Sequence, residues 1–559
     1  MPDIMEMVKK IKLAAKLVSC MEKVFPNEEP PALDTPVSLL KDDFAAFQLA
    51  VQPISGRFVS CEIEIESPIA QWITVRQVEN MPVRCISPST EDGDYISDQP
   101  GLYPDLLKPS RAGGAYGLLG DQWNTFWFEV ETTADTPAGD HPVHISLKTK
   151  IFDKEGPAAS IDLTVTVVNA VLPKQTLKRT EWFYADCVAD YYHVEPWSEQ
   201  HWQLMEDQMA FAGRRGVNMI LTPLFTYPLD TDRRAERTTV QLVDVMVRCG
   251  SYSFGFNKFR RFVEMAKRCG MEYFEMSHLF TQGGAAGAVK VMADEDGEYR
   301  QIFGPDDPSN GKPFQAFLAA LLPALTAVID ELGIRGKVVF HISDEPQLEH
   351  LPLYKELKEK LSPYLEGFAV IDALSDYDFY QQGVCEHPVV ASNHVTPFLE
   401  GETPEDFWVY YCVGQFYQVS NRYIAMPSSR NRIIAEQLYK YQVKGFLQWG
   451  YNFYNSVGSL YHINPFASTD SDGGFPAGDA FSVYPGDDGK PWPSIRLEIF
   501  WQAMCDLRAF SLLESLAGRD FVMGLIESEG EVTFFEYPRN AGYHLRLRQR
   551  VNEEIAKRV

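Results

Sequence analysis

Cysteine is scarce and unorganised in this chain. Nine are scattered over 559 residues with no C-x-x-C pair, and the nearest two, Cys249 and Cys269, lie 20 positions apart. An odd, unclustered set argues against a disulfide framework or a zinc knuckle, so reduced thiols in a cytoplasmic protein are expected. Positive charge is also in deficit: Lys plus Arg number 51 against 77 Asp plus Glu, a net charge of −26. That field repels phosphate backbones and anionic lipid surfaces, so neither nucleic acid nor membrane is an expected partner. Long hydrophobic runs are missing near the start. Ile11, Leu13, Leu17, Val18 and Met21 are interrupted by Glu6, Lys9, Lys10, Lys12, Lys16 and Glu22. An export signal needs roughly 7–15 uninterrupted apolar residues, and a membrane span about 20. The expectation for residues 1–33 is an amphipathic helix lying on the body or on a partner subunit, which leaves a homo-oligomer open.

Signature motifs are absent as well. No G-x-G-x-x-G follows the first strand of the second half, no G-x-S-x-G elbow occurs, and there is neither H-E-x-x-H nor an H-x-H closing that strand. These absences weigh against dinucleotide binding, serine-nucleophile chemistry and a metallohydrolase centre. No cofactor and no metal are expected. Asp470-x-Asp472-Gly473 begins like a calcium loop, but Gly474 and Phe481 occupy later ligand positions, so residues 470–479 are expected to form a lid or rim loop.

What is present is order of two kinds. Six runs with period two, Phe44 to Val51, Phe58 to Glu66, Trp72 to Val78, Thr125 to Val130, Val143 to Lys150 and Ile161 to Val168, predict a β-sandwich over residues 34–173. From Thr176 onward, apolar strands alternate with amphipathic helices. The strand candidates are Arg179–Asp186, Asn218–Pro223, Glu272–Ser277, Val338–Ser343, Phe368–Ala373, Val389–Ser392, Phe407–Val413 and Gly445–Gly450. Eight βα units predict an α/β fold, a (β/α)8 TIM-type barrel over residues 174–516. Residues 517–559 are expected to add a strand at Glu531–Tyr537 and a closing helix.

Barrel enzymes gather chemistry at the C-terminal ends of their strands. Those ends supply Asp186, Glu275, His278, the adjacent pair Asp344-Glu345, Asp372, His394, Tyr411, Trp449, Tyr451 and Asn452. Asp186, His278, Asp372, His394, Tyr411, Trp449, Tyr451 and Asn452 are candidate substrate-binding residues, with Trp449 as a platform for a sugar ring. A lone strand-end Asp is more often a helix cap than a catalyst. The pair in Val338-Val339-Phe340-His341-Ile342-Ser343-Asp344-Glu345-Pro346 is different. A strand stops in two adjacent acids, Pro346 forbids its continuation, and neighbouring carboxylates push their pKa values apart so that one can remain protonated near neutral pH. The seventh strand ends Tyr410-Tyr411-Cys412-Val413-Gly414-Gln415 without an acid. That favours glycosidases in which the substrate's own 2-acetamido group attacks, rather than a carboxylate nucleophile. A distant carboxylate such as Asp372 or Glu275, or a non-catalytic sugar-binding barrel, remain the alternatives.

Phe340-His341-Ile342-Ser343-Asp344-Glu345-Pro346 resembles the catalytic segment of glycoside hydrolase family 123, the β-N-acetylgalactosaminidases. Asn218–Pro223, Glu272–His278 and Gly445–Asn452 look like its bacterial members as well. The resemblance implies a sandwich followed by a barrel, and retaining, substrate-assisted hydrolysis. It makes Asp344 the residue that orients the acetamido group and Glu345 the general acid/base. A small carbohydrate or glycoconjugate is the implied partner. Many relatives are exported; the expectation here is an enzyme acting on short imported glycans.

Overall fold

The computed structural model describes residues 11–559 apart from 55–58, 90, 111–113 and 152–153. The chain divides into two compact units, Met1–Gln175 with Ser420–Tyr441 and Trp492–Val559, and Thr176–Val419 with Gln442–Pro491.

The first unit contains strands β1 (Lys12–Ser19), β2 (Val37–Lys41), β3 (Phe44–Ile54), β4 (Val59–Glu66), β5 (Ile73–Val83), β6 (Gly101–Lys108), β7 (Ala115–Leu118), β8 (Asn124–Glu131), β9 (Gly139–Ile151) and β10 (Lys154–Val171). They form two five-stranded sheets, ordered β1-β3-β8-β5-β6 and β2-β10-β9-β4-β7. Alternate side chains point to one face of a strand. Phe47 and Leu49 of β3 and Phe126 and Phe128 of β8 therefore meet Ile145 and Leu147 of β9 in one core. Phe47 and Phe128 stack with centroids 4.9 Å apart.

The expected N-terminal helix is corrected. Residues 1–10 lie outside the described residues, and Lys12–Ser19 pairs antiparallel with β3 from Lys12 opposite Ile54 to Ser19 opposite Phe47. The physical reason is a period of two: Ile11, Leu13, Ala15 and Leu17 all pack against the sheet core. Glu531–Tyr537 is likewise not a strand. The Thr533 hydroxyl accepts from the backbone N–H groups of Phe535 and Glu536 and makes a local turn instead. The closing helix runs Ala541–Ala556, capped by the Asn540 side chain.

Residues 420–441 and 492–516, expected within the barrel unit, group with the sheets instead. Buried ion pairs explain this. Arg432 reaches Asp506 at 2.7 Å, Arg548 reaches Asp506 at 2.8 Å and also pairs with Asp43, and Arg496 meets Asp105 at 2.8 Å. Burial disfavours the Asp506 carboxylate, but the two arginines outweigh it and hold its pKa below the usual carboxylate value.

The second unit is built on strands β11 (Lys178–Glu181), β12 (Met219–Thr222), β13 (Asp244–Arg248), β14 (Ser251–Gly255), β15 (Tyr273–Met276), β16 (Val291–Glu295), β17 (Glu298–Phe303), β18 (Val338–Phe340), β19 (Ala369–Leu374), β20 (His387–Ala391), β21 (Trp408–Tyr410) and β22 (Gly445–Gln448). Eight of them, β11-β12-β15-β18-β19-β20-β21-β22, close into a barrel of parallel strands, with β22 pairing back onto β11. The other four make a side sheet, β14-β13-β16-β17, that the sequence did not announce. Barrel strands covered on both faces are continuous apolar runs, and Val338-Val339-Phe340 is wholly buried. Helices follow the first six barrel strands, although Tyr377–Gln381 and Thr396–Glu400 have only five residues each. At the barrel floor a Cβ on Gly445 would lie 1.9 Å from the Trp408 ring, so glycine there is what lets the indole fill the interior.

Candidate active site

The strand β18 ends at Phe340, and the next five residues carry the acids. Side chains of consecutive strand residues diverge. Here the backbone departs from the strand, and Glu345 adopts φ +45°, the left-handed region that a non-glycine residue occupies only at a cost of about 1–3 kcal/mol. The Glu345 N–H donates to the carbonyl of Ala373 at 2.9 Å, and the Gly283 N–H donates to the carbonyl of Asp344 at 3.1 Å. These contacts hold the turn open so that both carboxylates line one pocket of about 520 Å³, open to solvent. Trp182, Asp230, Gln282, Tyr410, Cys412, Trp449 and Phe475 are also in its wall.

The two acids have different surroundings. Asp344 is 5% exposed and accepts from Gln282 Nε2 at 2.8 Å. Gln282 is oriented by its other end, where its carbonyl oxygen accepts from the Asp230 N–H at 2.7 Å. Burial, and then the negative charge of Glu345, push the Asp344 carboxyl well above the usual carboxylate value. Glu345 is exposed in the pocket, and its Oε1 accepts from the Tyr410 hydroxyl at 2.7 Å and faces the Cys412 thiol at 3.7 Å. Asp230, the third carboxylate of the wall, accepts from the Gly458 N–H at 2.9 Å; burial raises its pKa.

Behind the acids lies a buried ionic layer drawn from neighbouring strands. His341 places Nε2 2.5 Å from Glu275 Oε1 and Nδ1 3.2 Å from Asp372 Oδ1. Glu275 also accepts from Trp182 Nε1 at 2.8 Å and Thr180 Oγ1 at 2.6 Å. Asp372 accepts from the N–H groups of Ile342 at 3.0 Å and Ser343 at 3.2 Å, and from the Tyr354 hydroxyl. Burial alone would lower the pKa of His341; its two carboxylates reverse this and raise it to about 10. His278 stacks on His341 with centroids 4.2 Å apart. Ligand atoms of His278, His341 and Asp372 come within 4.8 Å of one another. Each nitrogen of His341 already faces a carboxylate.

Of the candidates named from sequence, Asp344, Glu345 and Trp449 meet in the pocket. Trp449 is held by its Nε1, which donates to Asp479 Oδ2 at 2.9 Å, and touches Phe475 edge to face. The structure places the others outside the pocket wall. Asp186 is not at a strand end but in the first turn of the helix Ala185–Tyr192, buried against Arg237 at 2.7 Å. Asp372 and His278 belong to the layer behind the acids, and His394 is exposed at a turn outside the pocket wall. Tyr411 packs against Phe446, Tyr451 donates to the carbonyl of Gln208, and Asn452 ties the backbone of Tyr184 through both ends of its amide. Gln282, Asp230, Tyr410 and Trp182 went unnamed. Tyr410 could have been found by parity, because Trp408, Tyr410 and Cys412 share a strand face. Loop positions such as Gln282 and Asp230 leave no such trace. In the 470–479 segment, Phe475 lines the pocket and Asp470 accepts from the N–H of Gly473 at 3.0 Å, which makes a rim loop.

The family described as glycoside hydrolase 123, catalytic domain, matches residues 182–513. The fold is similar to that of a family 123 glycoside hydrolase from Clostridium perfringens, studied for glycolipid glycan hydrolysis, at 13% identity and a TM-score of 0.71, covering 98% of this chain and 97% of that one. A family 5 mannosidase from Rhizomucor miehei aligns more loosely, at 11% identity and a TM-score of 0.32 over 59% of this chain and 94% of that one. No curated protein matches the sequence. The chain belongs to glycoside hydrolase family 123 and is a glycoside hydrolase.

Proposed function

We propose that the chain is a retaining exo-β-N-acetylhexosaminidase acting on β-N-acetylgalactosaminides, with the 2-acetamido group of the substrate as the nucleophile. The observation that carries this is the shared pocket of Asp344 and Glu345, one buried and one exposed. The rival carboxylates Glu275 and Asp372 are fully buried in the ionic layer and do not line the pocket, which disfavours them as nucleophile or base. We also read the closed barrel as a (β/α)8 barrel, with the acids following its fourth strand.

In this mechanism Asp344 accepts the acetamido N–H, which sharpens the nucleophilicity of the amide oxygen. That oxygen attacks the anomeric carbon as Glu345 gives its proton to the departing glycosidic oxygen, leaving a cyclic oxazolinium intermediate. Glu345 then takes a proton from water, which opens the ring at the same carbon with net retention. An amide N–H donated to Asp344 favours its ionised form and leaves the proton to Glu345. Trp182, Trp449 and Phe475 supply aromatic faces for the sugar, and Asp230 an acceptor for its hydroxyls.

The substrate is read as a short oligosaccharide or glycoconjugate; the glycolipid glycan associated with the Clostridium perfringens enzyme is compatible with that reading. The deciding experiment is a panel of aryl β-glycosides with and without the 2-acetamido group. Cleavage confined to the acetamido sugars is expected. Equal rates on sugars lacking it would overturn the substrate-assisted scheme.

A further inference from the structure

We propose that His341 is a positioning residue: a permanently charged imidazolium, clamped between Glu275 and Asp372, that ties the turn bearing the two acids to the aromatic wall and supplies the positive charge that lets Asp344 ionise. The inference rests on Asp344 and Glu345 being the catalytic acids, but not on the identity of the sugar.

The connection can be followed atom by atom. Trp182, a wall residue, donates its indole N–H to Glu275. Glu275 lies within hydrogen-bond distance of one nitrogen of His341, and Asp372 within hydrogen-bond distance of the other. Asp372 accepts from the backbone of Ile342 and Ser343, the two residues that precede Asp344. Four strands are therefore linked, and the link ends at the acid pair. A neutral imidazole donates through one nitrogen only. Two ionised carboxylates, one on each nitrogen, are both satisfied when the ring is protonated on both; burial raises the pKa of Asp372, and the hydrogen bonds and charge of His341 with the Tyr354 hydroxyl oppose that rise. All three side chains are inaccessible to solvent, so the interaction is little screened by water.

The remaining groups around the ring fit a cation. His278, stacked on it at 4.2 Å, is kept neutral by burial and by the charge of His341. Trp182 lies nearly perpendicular to both imidazoles, at 5.3 Å and 6.3 Å between centroids. The Tyr354 hydroxyl faces Asp372 and the Cys385 thiol, whose pKa burial raises, and the Thr180 hydroxyl faces Glu275. The charge of His341 pulls the pKa of Asp344 down, opposing burial and the charges of Glu345 and Asp372. Without it, Asp344 would hold its proton to higher pH and accept the amide N–H as a weaker, neutral acceptor.

The test uses the full-length enzyme with isotope-labelled histidine and an activated aryl glycoside. One imidazole should keep both nitrogens protonated until the pH approaches about 10, and its signal should vanish in His341→Gln. In that variant the acidic limb of the kcat/KM profile should move up by about one pH unit or more, the size expected when a nearby opposite charge is removed. Glu275→Gln keeps one acceptor oxygen, for Trp182, turns an amide NH2 toward the Thr180 hydroxyl, and removes a negative charge. Its acidic limb should stay in place or move down. A His341 ring that loses its proton below neutrality, or an unmoved acidic limb in His341→Gln, overturns the proposal. Should His341→Gln fail to fold, the ring whose titration falls in Glu275→Gln identifies His341, and the same titration decides. Failure of the acetamido requirement would appear in the glycoside panel and leave the His341 titration untouched, so the two outcomes are separable.

Discussion

The hydroxyl of Tyr410 donates to Oε1 of Glu345 at 2.7 Å, across the barrel from β21 to the turn after β18. A strand that carries no carboxylate thus still reaches the acid. The contact fixes which oxygen of Glu345 remains for the glycosidic bond. Tyr410→Phe keeps the ring and removes this bond. Hydrogen bonds to charged groups contribute about 1.5–3 kcal/mol, so kcat should fall about 10- to 100-fold with KM little changed. An unchanged kcat would show that Glu345 is positioned without it.

Glu345→Gln removes the proton donor but leaves the shape of the pocket. General acid catalysis is worth about 10²–10⁴-fold. Loss of that order is expected on substrates with poor leaving groups, and a much smaller loss on activated aryl glycosides, which depart without protonation. Equal losses on both classes would remove Glu345 from the acid role.

Asp344→Asn separates stability from catalysis. Because the folded pKa of Asp344 is raised, the native state disfavours its charge. That penalty begins above the unfolded value of about 3.9 and grows until the pH passes the folded value. The neutral amide should therefore unfold at the same temperature or higher at neutral pH while turnover collapses. Undiminished activity on an N-acetyl substrate would exclude the proposed role.

Glu345→Gly tests the strained turn. Relief of a left-handed side chain is worth about 1–2 kcal/mol, against about 0.5–1 kcal/mol for the added freedom of glycine in the unfolded chain. The variant should be inactive yet at least as stable as the parent in thermal denaturation. A marked fall in melting temperature would mean that the Glu345 side chain stabilises the fold.

Asp506→Ala strips Arg432 and Arg548 of a shared partner in the first unit. Breaking such a buried pair costs about 3–5 kcal/mol, to be read from chemical denaturation. The folded pKa of Asp506 lies below its unfolded value. Its contribution is therefore complete above about pH 4 and is lost as the pH falls through the folded pKa. The gap between parent and variant should narrow in acid.

Some of this architecture was legible in the residues themselves. Apolar runs bounded by turns located all eight barrel strands, because strands covered on both faces must be apolar along their length. Asp344 and Glu345 stood out because a strand closing in two acids and a proline has little structural reason to exist. Other assignments failed where two periods fit the same residues. Ile11, Leu13, Ala15 and Leu17 satisfy a strand as well as a helix, and pairing with β3 decided between them. Tyr410 and Tyr411 both end the same strand, and one step along it turns the side chain to the opposite face.

By itself, the sequence determined what is local: the alternation that makes sheets, the apolar runs that make a barrel, and the acid pair with its proline stop. Tertiary structure alone decided what depends on residues far apart in the chain. Gln282 finds Asp344 across 62 positions, Tyr410 finds Glu345 across 65, and His341 finds Glu275 across 66. Burial and charge at such meetings set which carboxyl keeps its proton, and no spacing along the chain encodes a distance through space.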